Sequence, residues 1–242
     1  MKIGTYKILS KHPHSRQSFT QGLFFSNDGS KLYESIGLYA RSRMQILNPV
    51  TQQIVAAIAL PSTQFAEGAT LHQGQIYQLT YREGCIYVRD PITLRAIALI
   101  TNYPRQGWGL TSNGSQLIAT DGTSNLYYLN ATATSVTTAK VVRVTINGRP
   151  LTQLNELEWM PKGTLHSTQD LILVNEWNSF RIHAVNPVTG IVQTTWTITG
   201  IYTPTNINDT MNGIARRSGD PMGVVWITGK RWPVIVRVQL VL

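Results

Sequence analysis

Cysteine is almost missing from this chain. The 242 residues hold one, Cys85, which excludes an internal disulfide and any zinc site built on several thiolates. It lies between Gly84 and Ile86-Tyr87-Val88 in a strand-like run, so a buried structural thiol is favoured over a nucleophile. No stretch approaches the roughly 20 consecutive apolar residues of a membrane-spanning helix, and membrane insertion is not expected. Met1 to Ser10 also lack the apolar block of a secretory leader. Acidic residues are scarce, 12 against 21 Lys and Arg, for a formal charge of +9. Such an excess can mark a nucleic-acid or anionic-surface binder. Yet only 14% of residues are charged, the densest basic clusters are Arg41/Arg43, Arg216-Arg217 and Lys230-Arg231, and no nucleic-acid motif accompanies them. Nucleic acid is therefore not expected as a partner. His12, His14, His72, His166 and His183 are dispersed, with His12 and His14 outside any repeat, so a metal triad is unsupported. Neither a G-x-S-x-G element nor a phosphate loop occurs, and no amphipathic helix of useful length is predicted.

What the chain has instead is alternation, β-branched and aromatic residues, and regularly spaced turns, the pattern of an all-β protein. A repeat underlies it. Gln21-Gly22-Leu23, Glu67-Gly68-Ala69, Trp108-Gly109-Leu110, Asn155-Glu156-Leu157 and Asn212-Gly213-Ile214 recur at steps of 46, 41, 47 and 57 residues, the period of a four-stranded propeller blade. A second marker keeps the same register: Asn48-Pro49-Val50-Thr51, Asp90-Pro91-Ile92-Thr93 and Asn186-Pro187-Val188-Thr189, with a degenerate Asn130-Ala131-Thr132. Proline presets a turn corner, and the Asn or Asp side chain caps backbone donors. Strands are expected at, for example, Thr20–Phe25, Gln75–Tyr81, Ile86–Arg89 and Lys140–Ile146. The fifth repeat supplies three strands, and an unassigned one at Lys2–Leu9 can complete it. The expectation is one domain over residues 1–242, a five-bladed β-propeller closed by pairing the N-terminal strand with the last blade. Two stacked sheets are the alternative, which does not predict the repeats.

Inner strands of a propeller line its channel, and ligands bind at one mouth. The residues opening these strands, with those ending each neighbouring strand, place Glu67, Gln21, Asn155, Asn212, Lys230, Trp108, Trp177, Tyr81, Phe19 and Phe65 at that mouth. Each has a plainer reading. The tryptophans could be core, Lys230 surface charge, Gln21 and Asn155 backbone partners, and Glu34 and Asp121 ties between blades. Glu67 could be a solvated turn residue. Its neighbours Phe65, Ala66 and Ala69 argue otherwise, since an apolar setting raises a carboxyl pKa toward the range of proton transfer. One carboxylate, one cation, amides and an aromatic box suit a small neutral substrate carrying an amide, with no metal or cofactor required.

Phe19-Thr20-Gln21-Gly22-Leu23, Glu67-Gly68, Gly107-Trp108-Gly109-Leu110-Thr111, Leu154-Asn155-Glu156-Leu157, Asn212-Gly213-Ile214-Ala215 and Thr228-Gly229-Lys230-Arg231-Trp232-Pro233 together resemble the plant and bacterial type of glutaminyl cyclase. The likeness runs in order along nearly the whole chain. It implies a five-bladed propeller and conversion of N-terminal glutamine to pyroglutamate with release of ammonia. It further implies peptides or proteins with N-terminal glutamine as partners, a monomer, and export from a precursor whose leader is absent here, the cytoplasm remaining the alternative. Carried over by motif, Glu67 would move the proton. Gln21, Asn155 and Lys230 would hold the amide oxygen and peptide carbonyl, and Phe19, Phe65, Trp108 and Trp177 would box the glutamine side chain. The chain departs from the family at Ala66 and Ala69 around the glutamate. It departs again at Tyr81, where tryptophan is usual, and at Gln106, where a glutamate usually precedes Gly-Trp-Gly. Rival readings are a catalytically silent propeller used for binding, and a calcium-dependent lactonase. The second would need several carboxylates on the channel.

Overall fold

A strand buried on one face alternates buried with exposed, but the inner strands here do not. Thr20–Phe25 and Val224–Gly229 are buried along their whole length, as is Leu32–Ile36. Each is covered on both sides by a neighbouring sheet. Period-2 geometry sends alternate side chains to opposite faces, and here both faces are interfaces. Leu23 and Phe25 pack toward the last sheet while Phe24 packs toward the second. Ile118 and its neighbours Leu117 and Ala119 are divided in the same way. Only outer strands such as Ile54–Ala59 carry an exposed edge.

The computed structural model describes residues 1–242 and contains strands and turns but no helix. Four-stranded sheets run outward from Thr20–Phe25, Ala66–His72, Leu110–Ser112 and Met211–Ala215, and a five-stranded one from Leu154–Met160. Consecutive inner strands pack against one another, and the fifth packs against the first. The result is a five-bladed β-propeller with a separate hydrophobic cluster at each of its five blade interfaces. Between inner strands, glycine permits contact with the neighbouring backbone: a Cβ on Gly68 would lie 2.5 Å from Trp108 O, and one on Gly109 2.0 Å from Asn155 O. The Asn/Asp-Pro turns form as their chemistry dictates. Asn48 Oδ1 accepts from the N–H groups of Val50 and Thr51, Asp90 Oδ1 from Ile92 and Thr93, and Asn186 Oδ1 from Val188 and Thr189.

Three expectations need correction. The N-terminal strand is not one segment ending at Leu9. Thr5–Pro13 pairs antiparallel with Val234–Val241 of blade 5, while Lys2–Ile3 crosses over and pairs parallel with the outer strand of blade 4. The break falls at Gly4, where a Cβ would sit 2.0 Å from Trp196 Nε1; only glycine lets the chain pass the buried indole. In blade 3 the outer strand is Val136–Arg143, and Thr145–Ile146 leaves it to pair with Arg149–Pro150. Asn130-Ala131 lies within a strand rather than a turn. The turn comes later, where Thr132 Oγ1 accepts from the N–H groups of Thr134 and Ser135.

The closing strand leads into a polar latch. His14 Nε2 bonds Glu34 Oε1 at 2.9 Å, with both side chains almost fully buried. Thr20 Oγ1 and Gln45 Nε2 also donate to the Glu34 carboxylate, at 2.6 and 2.8 Å. Glu34 therefore ties blade 1 to the segment that closes the ring. Asp121 makes no such tie: it accepts from Thr123 of its own turn.

Candidate active site

The strand ladders break where the repeats place their leading residues. Register shifts fall between Thr20 and Gly22, Ala66 and Ala69, Leu154 and Leu157, and Met211 and Ile214. Such bulges re-aim side chains that a regular pleat would send elsewhere. In blade 3 the inner strand starts only at Leu110, and Trp108 N and Gly109 N bond Thr120 instead. The repeated triplets are therefore a device for presenting side chains at one end of the axis.

That end opens into a cup of about 390 Å³ lined by Phe19, Gln21, Phe65, Glu67, Tyr81, Trp108, Asn155, Trp177, Asn208 and Lys230. Nine of these were expected from the sequence. Asn212 was expected too, but it does not line the cup. It lies fully buried behind Gln21, donating through Nδ2 to Gln21 Oε1 at 3.1 Å and to Thr20 O at 3.0 Å. Asn208 was missed. It sits in the long connection before blade 5, which has no counterpart in the other repeats, and sequence showed it only as one of three Asn-x-Ser/Thr triplets (with Asn113 and Asn130).

Two aromatic groups face the polar residues. Trp108 and Trp177 meet edge to face at 6.0 Å, and Phe65 contacts both Phe19 and Tyr81, at 6.1 and 5.9 Å. The rim is braced by Tyr39, edge-on to Phe65, and by Arg82, whose guanidinium lies 4.7 Å over the Tyr81 ring. Arg82 also donates to the Tyr81 hydroxyl at 3.1 Å, an acceptor that a tryptophan would not offer. Lys230 places Nζ 4.9 Å over the Phe19 ring. Its backbone N–H donates to Thr210 O and that of Arg231 to Ser18 O, fixing the loop after Gly229 against two segments.

Burial raises the pKa of Glu67 well above the ordinary carboxylate value; the Lys230 charge opposes the rise and Glu83 adds to it. Burial also lowers the Lys230 ammonium to about 8, against the pull of Glu67. The two sense one another without forming a direct ion pair. A raised pKa alone does not single out Glu67. Glu156 is also raised by burial, and Glu158 is pushed up to about 8. Those two, however, are consumed by the fold. Glu156 accepts from Leu23 N and Ile214 N along the axis, and Glu158 accepts from Arg216 N at its far end.

Glu67 differs because its carboxylate bonds no protein group, its backbone oxygen alone accepting from Ser35 Oγ at 2.5 Å. The Asn155 side chain, the Lys230 ammonium and Gln21 Nε2 likewise have no protein partner, although all four residues are buried. Their polar ends open into the cup rather than being sealed in the core, and four polar groups left free of the fold and converging on one cavity mark a place made for a polar ligand. No group of three or more His, Cys, Asp or Glu side chains lies close enough to hold a metal ion.

The propeller has known counterparts. The crystal structure of Myxococcus xanthus glutaminyl cyclase superimposes with a TM-score of 0.84 at 26% identity, over 100% of this chain and 99% of that one. The glutaminyl-peptide cyclotransferase of Arabidopsis thaliana is 28% identical over 245 residues, 99% of this chain and 72% of the relative. The sequence profile of glutamine cyclotransferases matches residues 1–240. With a match of that extent, the chain belongs to the glutamine cyclotransferase family.

Proposed function

We propose that this chain is a glutaminyl-peptide cyclotransferase that closes N-terminal glutamine to pyroglutamate in this cup, with Glu67 as the proton carrier. The observation that carries the reading is the set of four polar groups without protein partners, one acid and three donors, opening into the cup opposite an aromatic box.

The reaction needs the α-amino nitrogen to attack its own side-chain amide carbon. A C–N bond forms, the carbonyl oxygen takes negative charge, the original C–N bond then breaks, and ammonia leaves. Trp108, Trp177, Phe19 and Phe65 bound a space that favours a folded glutamine over an extended one. That supplies the near-attack geometry and its entropic share of the rate. Glu67, ionised, takes the proton released as the amine adds and returns it to the departing nitrogen. An acid with a raised pKa suits both halves of that transfer near neutral pH. Charge on the oxygen calls for fixed donors. Gln21 Nε2 is oriented because Asn212 occupies Oε1, and Asn155 and Lys230 complete the set. Donors fixed before the charge develops need little reorganisation.

The test is release of ammonia from a glutamine-initiated dipeptide, with and without chelator, by wild type and by Glu67→Gln. Turnover that survives chelation and falls about 10²–10⁴-fold in the variant is expected for a general acid/base. Wild-type silence would defeat the reading.

A further inference from the structure

Next to the cup lies a second hollow, of about 240 Å³, between blades 4 and 5. Its two walls continue those of the cup. Trp177 lines the cup and Asn178 to Phe180 the hollow; Asn208 lines the cup, and Ile207 and Asp209 the hollow. We propose that this groove is a subsite for the residues that follow the N-terminal glutamine, and that it binds their backbone rather than their side chains. The inference rests on the cyclotransferase reading and extends it to the length of substrate used.

The wall from Thr203 to Ile207 is irregular chain in which the N–H groups of Thr203, Thr205 and Ile207 bond nothing in the protein. Loops normally place such groups in water. Here the residues that carry them line a trough beside the cup, and an extended peptide lying in it offers the matching carbonyls along its length, as in strand addition to a free edge. The lining has no unpaired charge: its one acid, Asp209, is held by Arg231 at 2.7 Å. Apolar contact is available from Phe180, Pro204 and Ile207, the last 73% exposed. Neutral main-chain recognition with a few apolar contacts predicts tolerance of side-chain identity and sensitivity to length. A free glutamine or a dipeptide would leave most of the groove unused.

The experiment is a series of C-terminally amidated peptides, Gln-Ala to Gln-Ala-Ala-Ala-Ala, assayed by ammonia release, with amidation removing the charge of a shortened end. The ratio of kcat/KM for the longest peptide to that for the shortest is expected to be about tenfold, the worth of one or two main-chain hydrogen bonds. Thr205→Trp fills the groove and Thr205→Pro deletes one of its free donors. Thr205 is exposed, so neither change disturbs the core. Both should bring the ratio toward one. A flat series with normal turnover of the dipeptide overturns the groove alone, as does a length advantage that both variants retain. Silence toward every peptide would overturn the cyclotransferase reading and the groove with it.

Discussion

Asn212 holds Gln21 by the oxygen. Its Nδ2 lies 3.1 Å from Gln21 Oε1 and also donates to the Thr20 carbonyl, which leaves the Gln21 NH₂ as the end presented to the cup. Neither residue's type alone reveals this division: one amide orients, the other faces the ligand.

Replacing Asn212 with Asp removes the donor and substitutes an acceptor, drawing the Gln21 NH₂ inward. Asn212→Asp is expected to lower kcat about 10²-fold, the usual cost of one fixed donor at a developing oxyanion, with a smaller change in KM. Steady-state kinetics on a glutamine dipeptide check this; a kcat within twofold of wild type would discard the positioning role.

Proton transfer sets a second expectation. In the proposed mechanism Glu67 is ionised when it accepts the proton, so kcat should rise as pH passes upward through its raised pKa. In the same mechanism Lys230 is charged when it stabilises the oxyanion, so kcat should fall above about 8. The profile should be bell-shaped, and Lys230→Met should remove the alkaline limb while lowering the plateau. An alkaline limb that persists in the variant assigns it to another group.

The latch between His14 and Glu34 makes stability depend on pH. Burial pushes the His14 pKa down, but the charge and hydrogen bond of Glu34 outweigh it, and the net shift from 6.5 is upward. Burial pushes Glu34 up, but His14, Thr20 and Gln45 bring it below 4.5. The histidine contribution is complete below 6.5 and fades as pH rises through its folded value. The carboxylate contribution is complete above 4.5 and fades as pH falls through its folded value. The pair therefore contributes most between these limits. Thermal melts of wild type and Glu34→Gln should differ most at pH 5–6 and converge toward both extremes. A constant difference across pH would show that the ion pair is not responsible.

Gly109→Ala should destabilise the ring by roughly 1–3 kcal/mol, as for other overpacked sites, because the new methyl would lie 2.0 Å from Asn155 O. The push falls on the residue that presents an amide to the cup, so kcat should drop as well. Chemical denaturation with parallel kinetics tests both; unchanged values would mean the inner strands have slack.

The repeats were legible because their chemistry is local. A glycine beside a leading residue foretells close backbones, and Asn or Asp before Pro foretells a capped turn. Nine of the cup's residues followed from that register. What escaped lay where register is lost. Asn208 is in the one connection without a counterpart. Asn212 has the right position but turns inward, which its type does not reveal. Gly4 looked like part of a strand, since the indole of Trp196 that forces the break lies 192 residues away in sequence. His14 likewise stood outside every repeat, and its partner Glu34 is brought near only when the ring closes.

Because Thr5–Pro13 pairs with Val234–Val241, a strand that precedes blade 1 and a strand of blade 5 lie side by side. Blades 1 to 3 can assemble during synthesis, yet the annulus can be sealed only after Val234–Val241 emerges. Lys230 closely precedes that closing strand, so the cup is complete only when the ring is. Cleavage that detaches Thr5–Pro13 would unfasten that seam.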